Sequence, residues 1–123
     1  MKLIIADDSA FVRNILAKTI TAQFPDAKLT LCSNGQEAWD AYKADRSDWL
    51  ITDLLMPIMT GQALIEKIKK DTAHTTPIKI IVISADVQKG TRDEIEAYDI
   101  EAFINKPLTQ DKLTNLVNHL KGE

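Results

Sequence analysis

Five polar side chains that could bind a metal and a phosphoryl group stand at the ends of short apolar runs. They are Asp7, Asp8, Asp53, Ser84 and Lys106. If the runs are parallel strands, the five side chains meet at the carboxyl edge of one sheet, where open α/β sheets bind ligands. Carboxylates are ligands for Mg²⁺ and can act as nucleophiles toward phosphorus. A hydroxyl and a lysine could then contact the oxygens of the phosphoryl group.

The crowding of acidic groups strengthens this interpretation. In a sheet with the strand order 2-1-3-4-5, strands 1 and 3 are neighbours, so Asp53 would lie close to Asp7 and Asp8. Two carboxylates about 4 Å apart repel by about 4 kcal/mol at an effective dielectric constant of 20. A fold that gathers three of them therefore needs a metal or a function.

Each residue also has an ordinary explanation when it is taken alone. Asp8 or Ser9 could cap the first helix, and Ser84 could cap the fourth. Asp53 could be a turn residue, and Lys106 a solvated surface charge. Together these explanations require five coincidences at one sheet edge, so the pattern favours a functional site.

The elements that must position these residues alternate between short β-branched runs and longer helical patterns. This alternation is typical of a doubly wound α/β fold with a parallel sheet. The predicted strands lie near 2–6, 28–32, 49–52, 79–83 and 102–104. The predicted helices lie near 9–23, 35–45, 61–71, 87–97 and 109–121. Gly90 falls inside the fourth helix and should weaken it by up to about 1 kcal/mol.

Length and composition favour one globular domain over residues 1–123, 45% hydrophobic and 27% charged. The net charge of -3 argues against a nucleic-acid-binding surface, and no apolar run is long enough to span a membrane. The amino terminus reaches Asp7 too soon for a secretory signal. The single cysteine, Cys32, forms no intramolecular disulfide and is expected to be buried. These features predict a cytoplasmic protein.

Four motifs give the chain a specific resemblance. They are Asp7-Asp8, the segment from Asp53 through Leu55, Met56 and Pro57 to Gly61, Ser84-Ala85 and Lys106-Pro107. Over essentially its whole length the chain resembles the receiver domain of bacterial two-component response regulators, and in particular the single-domain chemotaxis type. The resemblance implies a flavodoxin-like sheet of five parallel strands in the order 2-1-3-4-5 with five helices.

The resemblance also implies a role for each site residue. Asp53 would accept a phosphoryl group from a phosphohistidine on a sensor histidine kinase or a phosphotransfer protein. Mg²⁺ would be bound by Asp8, Asp53 and the backbone carbonyl of Leu55, with Asp7 helping. Lys106 would pair with the phosphoryl group, and Pro107 could follow a cis peptide bond.

The implied output is a change of binding surface. Ser84 would turn toward the phosphoryl oxygen, and the aromatic Phe103 would move inward with it. The downstream protein target would bind the face formed by the fourth helix, fifth strand and fifth helix. Exposed candidates there are Lys89, Arg92, Tyr98, Glu101, Phe103 and His119.

Departures from the family pattern leave two points open. Phe103 lacks the hydroxyl of the tyrosine that is common at this position, so the resemblance does not extend to an output that needs a hydrogen bond from that hydroxyl. Leu55 and Asp86 occupy positions that tune dephosphorylation in the family. An apolar Leu55 would hinder an attacking water, whereas Asp86 could orient it, and the net effect on phosphoryl lifetime stays open.

Three functional hypotheses follow. The first is a stand-alone receiver that catalyses only its own phosphorylation and dephosphorylation. Its phosphodonor would dock at the first helix. There Phe11 is either an exposed anchor or a core residue. The second is the same module taken from a longer regulator with a DNA-binding or enzymatic domain, although Met1 opening directly into the first strand favours a natural beginning.

The third is an enzyme. An aspartyl phosphatase would have a second Asp at the position of Leu55, and a flavin carrier would have a hydroxyl- and glycine-rich loop in place of Asp7-Asp8.

Overall fold

Strands and helices alternate along the chain in the computed structural model, which describes residues 1–72, 77–86 and 88–122. The strands of the described residues are β1 (Lys2–Ala6), β2 (Lys28–Cys32), β3 (Trp49–Thr52), β4 (Lys79–Ser84) and β5 (Ala102–Asn105). The helices are α1 (Ala10–Gln23), α2 (Gly35–Ala44), α3 (Gly61–Lys70), α4 (Lys89–Glu96) and α5 (Gln110–Lys121).

The five strands form one parallel sheet in the order β2-β1-β3-β4-β5, which confirms the predicted topology. Ala6 pairs with Thr52 across β1 and β3, so the residues that follow, Asp7 and Asp53, leave the sheet side by side. The Asp53 N–H donates to the Ala6 carbonyl over 2.9 Å, which fixes this register at the carboxyl edge.

The core consists of two apolar clusters, one on each face of the sheet, because successive strand residues point to opposite faces. In one cluster, strand residues such as Ile4 and Leu50 pack with Leu64 of α3. In the other, strand residues such as Ile5 pack with Leu16 of α1 and Leu116 of α5. Strands covered on both faces are nearly continuous apolar runs, as expected for a buried parallel sheet.

Side-chain caps explain where most of the helices begin. The Ser9, Asn34, Thr60 and Thr109 side chains each accept a hydrogen bond from the backbone N–H three residues later. The predicted helices were therefore right in position, with bounds that differ by one or two residues. The predicted start of the fourth helix at Val87 lies outside the described residues, and α4 has Gln88 at its N-cap position with no side-chain cap.

Two further expectations can be compared with the structure. Cys32 is buried, with 3% of its surface exposed, as predicted. Among the helices of the described ranges, none has the length and apolar character needed to cross a bilayer.

Candidate functional site

The Lys106 side chain joins two acidic side chains at the carboxyl edge of the sheet. Its Nζ lies 2.9 Å from Asp7 Oδ2 and 2.9 Å from Asp53 Oδ2. The two carboxylates are nearly inaccessible, with side-chain exposures of 2% and 8%, while that of the lysine is 19%. The site therefore holds a partly buried cation against two buried anions from β1 and β3.

The protonation of this cluster reflects competition between burial and charge pairing. Burial raises the pKa of Asp7, and the hydrogen bond from the Ser9 N–H and the contact with Lys106 offset only part of that effect. Burial alone would lower the pKa of Lys106, but its contacts with Asp53 and Asp7 outweigh burial, and the pKa is raised. Lys106 is consequently held as an ammonium.

Backbone contacts hold Asp7 in place. Its Oδ1 accepts the Ser9 N–H over 2.9 Å, and its carbonyl accepts Arg13 Nη1 over 2.7 Å. Ser9 rather than Asp8 caps α1, because the Ser9 Oγ accepts from Val12 N over 3.3 Å. The explanation of Asp8 as a helix cap is therefore wrong.

Asp7, Asp8 and Asp53 offer a set of oxygen ligands for a cation. One carboxylate oxygen from each residue lies within 4.8 Å of the others, and Asp8 is exposed while the other two are buried. Hard oxygen ligands beside open solvent suit Mg²⁺, which binds through a few carboxylates and keeps several waters. The residues present therefore fit the ion that the sequence implied.

The loop after β3 is packed tightly against the Asp53 backbone. The Leu54 N–H donates to Asp53 Oδ1 over 2.7 Å, and the Gly61 N–H donates to the Leu54 carbonyl over 2.9 Å. A Cβ at Gly61 would lie 1.9 Å from the Asp53 carbonyl oxygen, so only glycine allows α3 to begin here. In the same loop Ile58 has a φ of 70°, a left-handed conformation that strains a β-branched residue.

Ser84 is fully buried at the end of β4. Its Oγ accepts a hydrogen bond from the Asp86 N–H over 3.1 Å. Because α4 begins at Lys89, after Gln88, Ser84 does not cap that helix. The serine hydroxyl therefore lies at the same carboxyl edge as Asp53.

Phe103 and Leu55 differ in their surroundings. Phe103 is half-buried, pairs with Val82 and has the Arg92 guanidinium 5.3 Å from its ring centre. Leu55, two residues after Asp53, is 68% exposed. The peptide bond between Lys106 and Pro107 is cis in the structure.

An apolar groove adjoins the site between α1 and the loop after β5. Phe11 forms part of it and is 72% exposed, so the possibility that Phe11 is a core residue is wrong. The other lining residues are Val12, Ile15, Ala85, Lys106, Pro107 and Leu108. The Lys106 side chain therefore connects the groove to the acidic cluster.

Two supporting contacts were missed from the sequence. Arg13 binds the Asp7 carbonyl, and Lys112 Nζ donates to the Asn105 carbonyl over 2.7 Å. Nothing in the pattern marked Arg13. Lys112 carried a usable signal, since it stands three residues after a helix-capping Thr109, where Glu or Gln is preferred.

Comparison with known proteins identifies the family. The family model described as the response regulator receiver domain matches residues 3–118. The chain therefore belongs to the response regulator receiver domain family.

Relatives of this chain include larger proteins. It is 30% identical over 109 residues to a protein-glutamate methylesterase/protein-glutamine glutaminase of Bacillus licheniformis, covering 87% of this chain and 29% of that protein. It is 28% identical over 122 residues to response regulator Rre1 of Synechocystis, covering 98% of this chain and 51% of that protein. The chain thus spans about a third to a half of these relatives.

Solved structures share the fold. The response regulator domain of Thermotoga maritima CheB has a TM-score of 0.85 at 24% identity, covering 99% of this chain and 94% of that one. The chemotaxis response regulator CheY4 of Vibrio cholerae has a TM-score of 0.82 at 21% identity, covering 97% of both chains. These structures show that this member of the receiver domain family has the flavodoxin-like arrangement of strands.

Proposed function

We propose that this receiver domain is a signalling switch that is phosphorylated on Asp53. The donor would be the phosphohistidine of a sensor histidine kinase or a phosphotransfer protein. The observation that carries the proposal is the contact of Lys106 Nζ with both Asp53 and Asp7, at 2.9 Å each. One cation placed among buried carboxylates is ready to neutralise a phosphoryl group that arrives there.

The reaction exchanges one phosphorus bond for another. A carboxylate oxygen of Asp53 attacks phosphorus in line with the leaving nitrogen, and the phosphorus–nitrogen bond breaks as the phosphorus–oxygen bond forms. The imidazole leaves with the electron pair of the broken bond, and it is a neutral molecule because its other ring nitrogen already carries a proton. Such transfers depend mainly on positioning and on neutralising the equatorial oxygens. Lys106 supplies part of that positive charge.

The acidic cluster supports a metal in the same reaction. Asp7, Asp8, Asp53 and the backbone carbonyl of Leu55 would hold Mg²⁺. When bound, Mg²⁺ supplies positive charge to the phosphoryl oxygens and relieves the repulsion among the carboxylates. Asp8, the exposed member of the cluster, gives the ion access from solvent.

Ser84 and Phe103 would then change position in response to the phosphoryl group. Phosphorylation adds about two negative charges. The Ser84 hydroxyl, which now accepts from Asp86, would turn to donate to a phosphoryl oxygen. Phe103 would move inward and alter the face of α4, β5 and α5, where the downstream protein binds; coupling of about 1–3 kcal/mol between the two sites is typical.

A substitution at the acceptor tests the proposal. We expect Asp53→Asn to abolish labelling by acetyl phosphate with Mg²⁺, because an amide cannot form the acyl phosphate. The exposed Asp26 provides a matched control, and Asp26→Asn should label like the wild type. Mass spectrometry of the intact protein measures the outcome. Undiminished labelling of the Asp53→Asn variant would show that the acceptor is elsewhere.

The proposal includes partners and a cellular location. The exposed Phe11 and the apolar groove beside Lys106 would receive the phosphodonor. The domain itself would bind neither nucleic acid nor membrane and would act in the cytoplasm, with which its net negative charge and its free, buried Cys32 agree. As a stand-alone domain over residues 1–123 it would catalyse only its own phosphorylation and dephosphorylation.

A second candidate is the regulatory part of a longer protein with an enzymatic or DNA-binding output. It is favoured by the coverage of the relatives, since the chain matches only 29% of the Bacillus licheniformis methylesterase. Detecting the endogenous protein with an antibody distinguishes the two. A native mass of 13.8 kDa supports the stand-alone switch, whereas a larger mass supports the longer regulator.

A further inference from the structure

Lys112 occupies a helix position that ordinarily favours the opposite charge. It is the third residue of α5, and its N–H donates to the capping Thr109 Oγ1 over 3.3 Å. The amino end of a helix carries partial positive charge, so a lysine there is disfavoured. At this position Glu or Gln commonly bonds back to the capping residue. The helix itself therefore gives no reason for this lysine.

The Lys112 ammonium has a specific contact outside its own helix. Its Nζ donates to the Asn105 carbonyl over 2.7 Å in a partly buried position. Asn105 is the last residue of β5, and the following N–H, that of Lys106, donates to the Ser84 carbonyl over 2.9 Å. The carbonyl and the N–H belong to the same peptide unit, so both of its polar groups are bonded, one by α5 and the other by β4.

A peptide unit held at both polar groups fixes the direction in which the next side chain leaves the backbone. That side chain is Lys106, whose Nζ lies 2.9 Å from Asp53 Oδ2 and from Asp7 Oδ2. Lysine has a long, flexible stem, and ordering it costs conformational entropy. A fixed origin for the stem restricts where the ammonium can go before any contact forms.

We propose that Lys112 is a positioning residue for Lys106, acting through the Asn105–Lys106 peptide. It contacts neither the acidic side chains nor the phosphoryl group; it orients the residue that does. The role in phosphoryl transfer rests on the proposed function, whereas the effect on the position of Lys106 can be measured without it. Lys112 also ties the site to α5, since it belongs to the first turn of that helix.

The experiment uses the full chain with lysine side chains labelled with ¹⁵N, unphosphorylated and without divalent cation. An ammonium held between two carboxylates exchanges its protons slowly and gives a distinct resonance, assigned with a Lys106→Arg variant. We expect Lys112→Gln, which suits the helix start, to shift or broaden the Lys106 resonance. Lys112→Arg should restore it, and the exposed Lys121→Gln should leave it unchanged.

The labelling rate with acetyl phosphate gives a second measurement. Misplacement of a charged group by about 1 Å can cost on the order of a hundredfold in rate, and we expect Lys112→Gln to lose about tenfold. Lys112→Met, which also lacks the donor, should behave in the same way. A wild-type Lys106 resonance in both variants would overturn the positioning role. If instead the resonance changes and wild-type protein fails to label, the proposed function fails while the positioning role stands.

Discussion

At the scale of single residues, the site holds more negatively charged groups than positively charged ones. One ammonium, that of Lys106, contacts two carboxylates, and Asp8 adds a third carboxylate within 4.8 Å of the others. Without a divalent cation the native state retains repulsion that the unfolded chain does not have. If the cluster binds a cation, as proposed, this lost stability is the cost of keeping the cation site assembled.

Asp8→Asn tests this balance. Because Asp8 is exposed and makes no ion pair among those of the described residues, its removal should relieve repulsion. We expect the free energy of unfolding without Mg²⁺ to rise by less than about 1 kcal/mol. Millimolar Mg²⁺ should raise the urea midpoint of the wild type and have much less effect on the variant. Equal stabilisation of both proteins by Mg²⁺ would argue against Asp8 as a ligand.

Cys32 predicts a pH dependence on the alkaline side. Burial, and then the nearby charge of Glu37, raises the pKa of the thiol to about 11. The native state keeps this proton while the unfolded state loses it above about pH 8.5, so stability falls as pH rises toward 11. We expect a loss of about 3 kcal/mol from this group by pH 11. Urea unfolding from pH 8 to 11 should fall more steeply for the wild type than for Cys32→Ala; parallel curves would contradict the assignment.

At the scale of elements, the start of α3 depends on the absence of a side chain. Gly61→Ala would place a Cβ 1.9 Å from the Asp53 carbonyl oxygen, and backbone cannot move aside cheaply. We expect a loss of about 1–3 kcal/mol, with slower labelling of Asp53 because its strand end must shift. Urea unfolding and labelling with acetyl phosphate measure the two effects.

Gly90→Ala provides the matched control in α4. No atom of the described residues lies within 4 Å of a Cβ there, so the substitution should stabilise the protein by about 0.5–1 kcal/mol through helix propensity. It should leave labelling unchanged. If Gly61→Ala proved as harmless as Gly90→Ala, the tight packing against Asp53 would be refuted.

The elements also show what sequence can and cannot predict. Apolar runs located every strand within one residue, because a sheet covered on both faces requires them, and capping residues such as Ser9 and Thr109 located helix starts. The convergence of Asp53 and Lys106 followed from parallel strands ending at one edge. The contact of Arg13 with a backbone carbonyl was not predictable, since it depends on side-chain reach rather than on periodicity. For Lys112 the sequence marked an unusual residue near the start of the last helix but did not identify the carbonyl that it contacts.

At the scale of the whole molecule, the apolar groove beside the site should affect transfer from one kind of phosphodonor and not from the other. Under the proposed function, acetyl phosphate would need only Asp53 and a cation, whereas a protein donor would also have to bind the surface around the exposed Phe11. We expect Phe11→Ala to slow transfer from a phosphorylated histidine donor by about tenfold or more, as for an exposed aromatic anchor. Labelling by acetyl phosphate should change by less than about twofold, since chemistry and docking are separable.

Leu31→Ala gives the control for this prediction, because Leu31 is an exposed apolar residue on β2 and takes no part in the groove. Transfer rates measured with the same donor preparation should match the wild type. An equal loss in both variants, or a loss with acetyl phosphate as well, would assign the effect of Phe11 to folding rather than docking.

The distribution of the site along the chain has a consequence for biosynthesis. Asp7 follows the first strand, Asp53 follows the third, and Lys106 follows the fifth, with Lys112 in the last helix. A ribosome synthesises these residues in that order, so a growing chain cannot hold the complete site until α5 has emerged. If Asp53 is the acceptor, as proposed, its phosphorylation would be confined to chains that have reached this helix, and shorter nascent chains would send no signal.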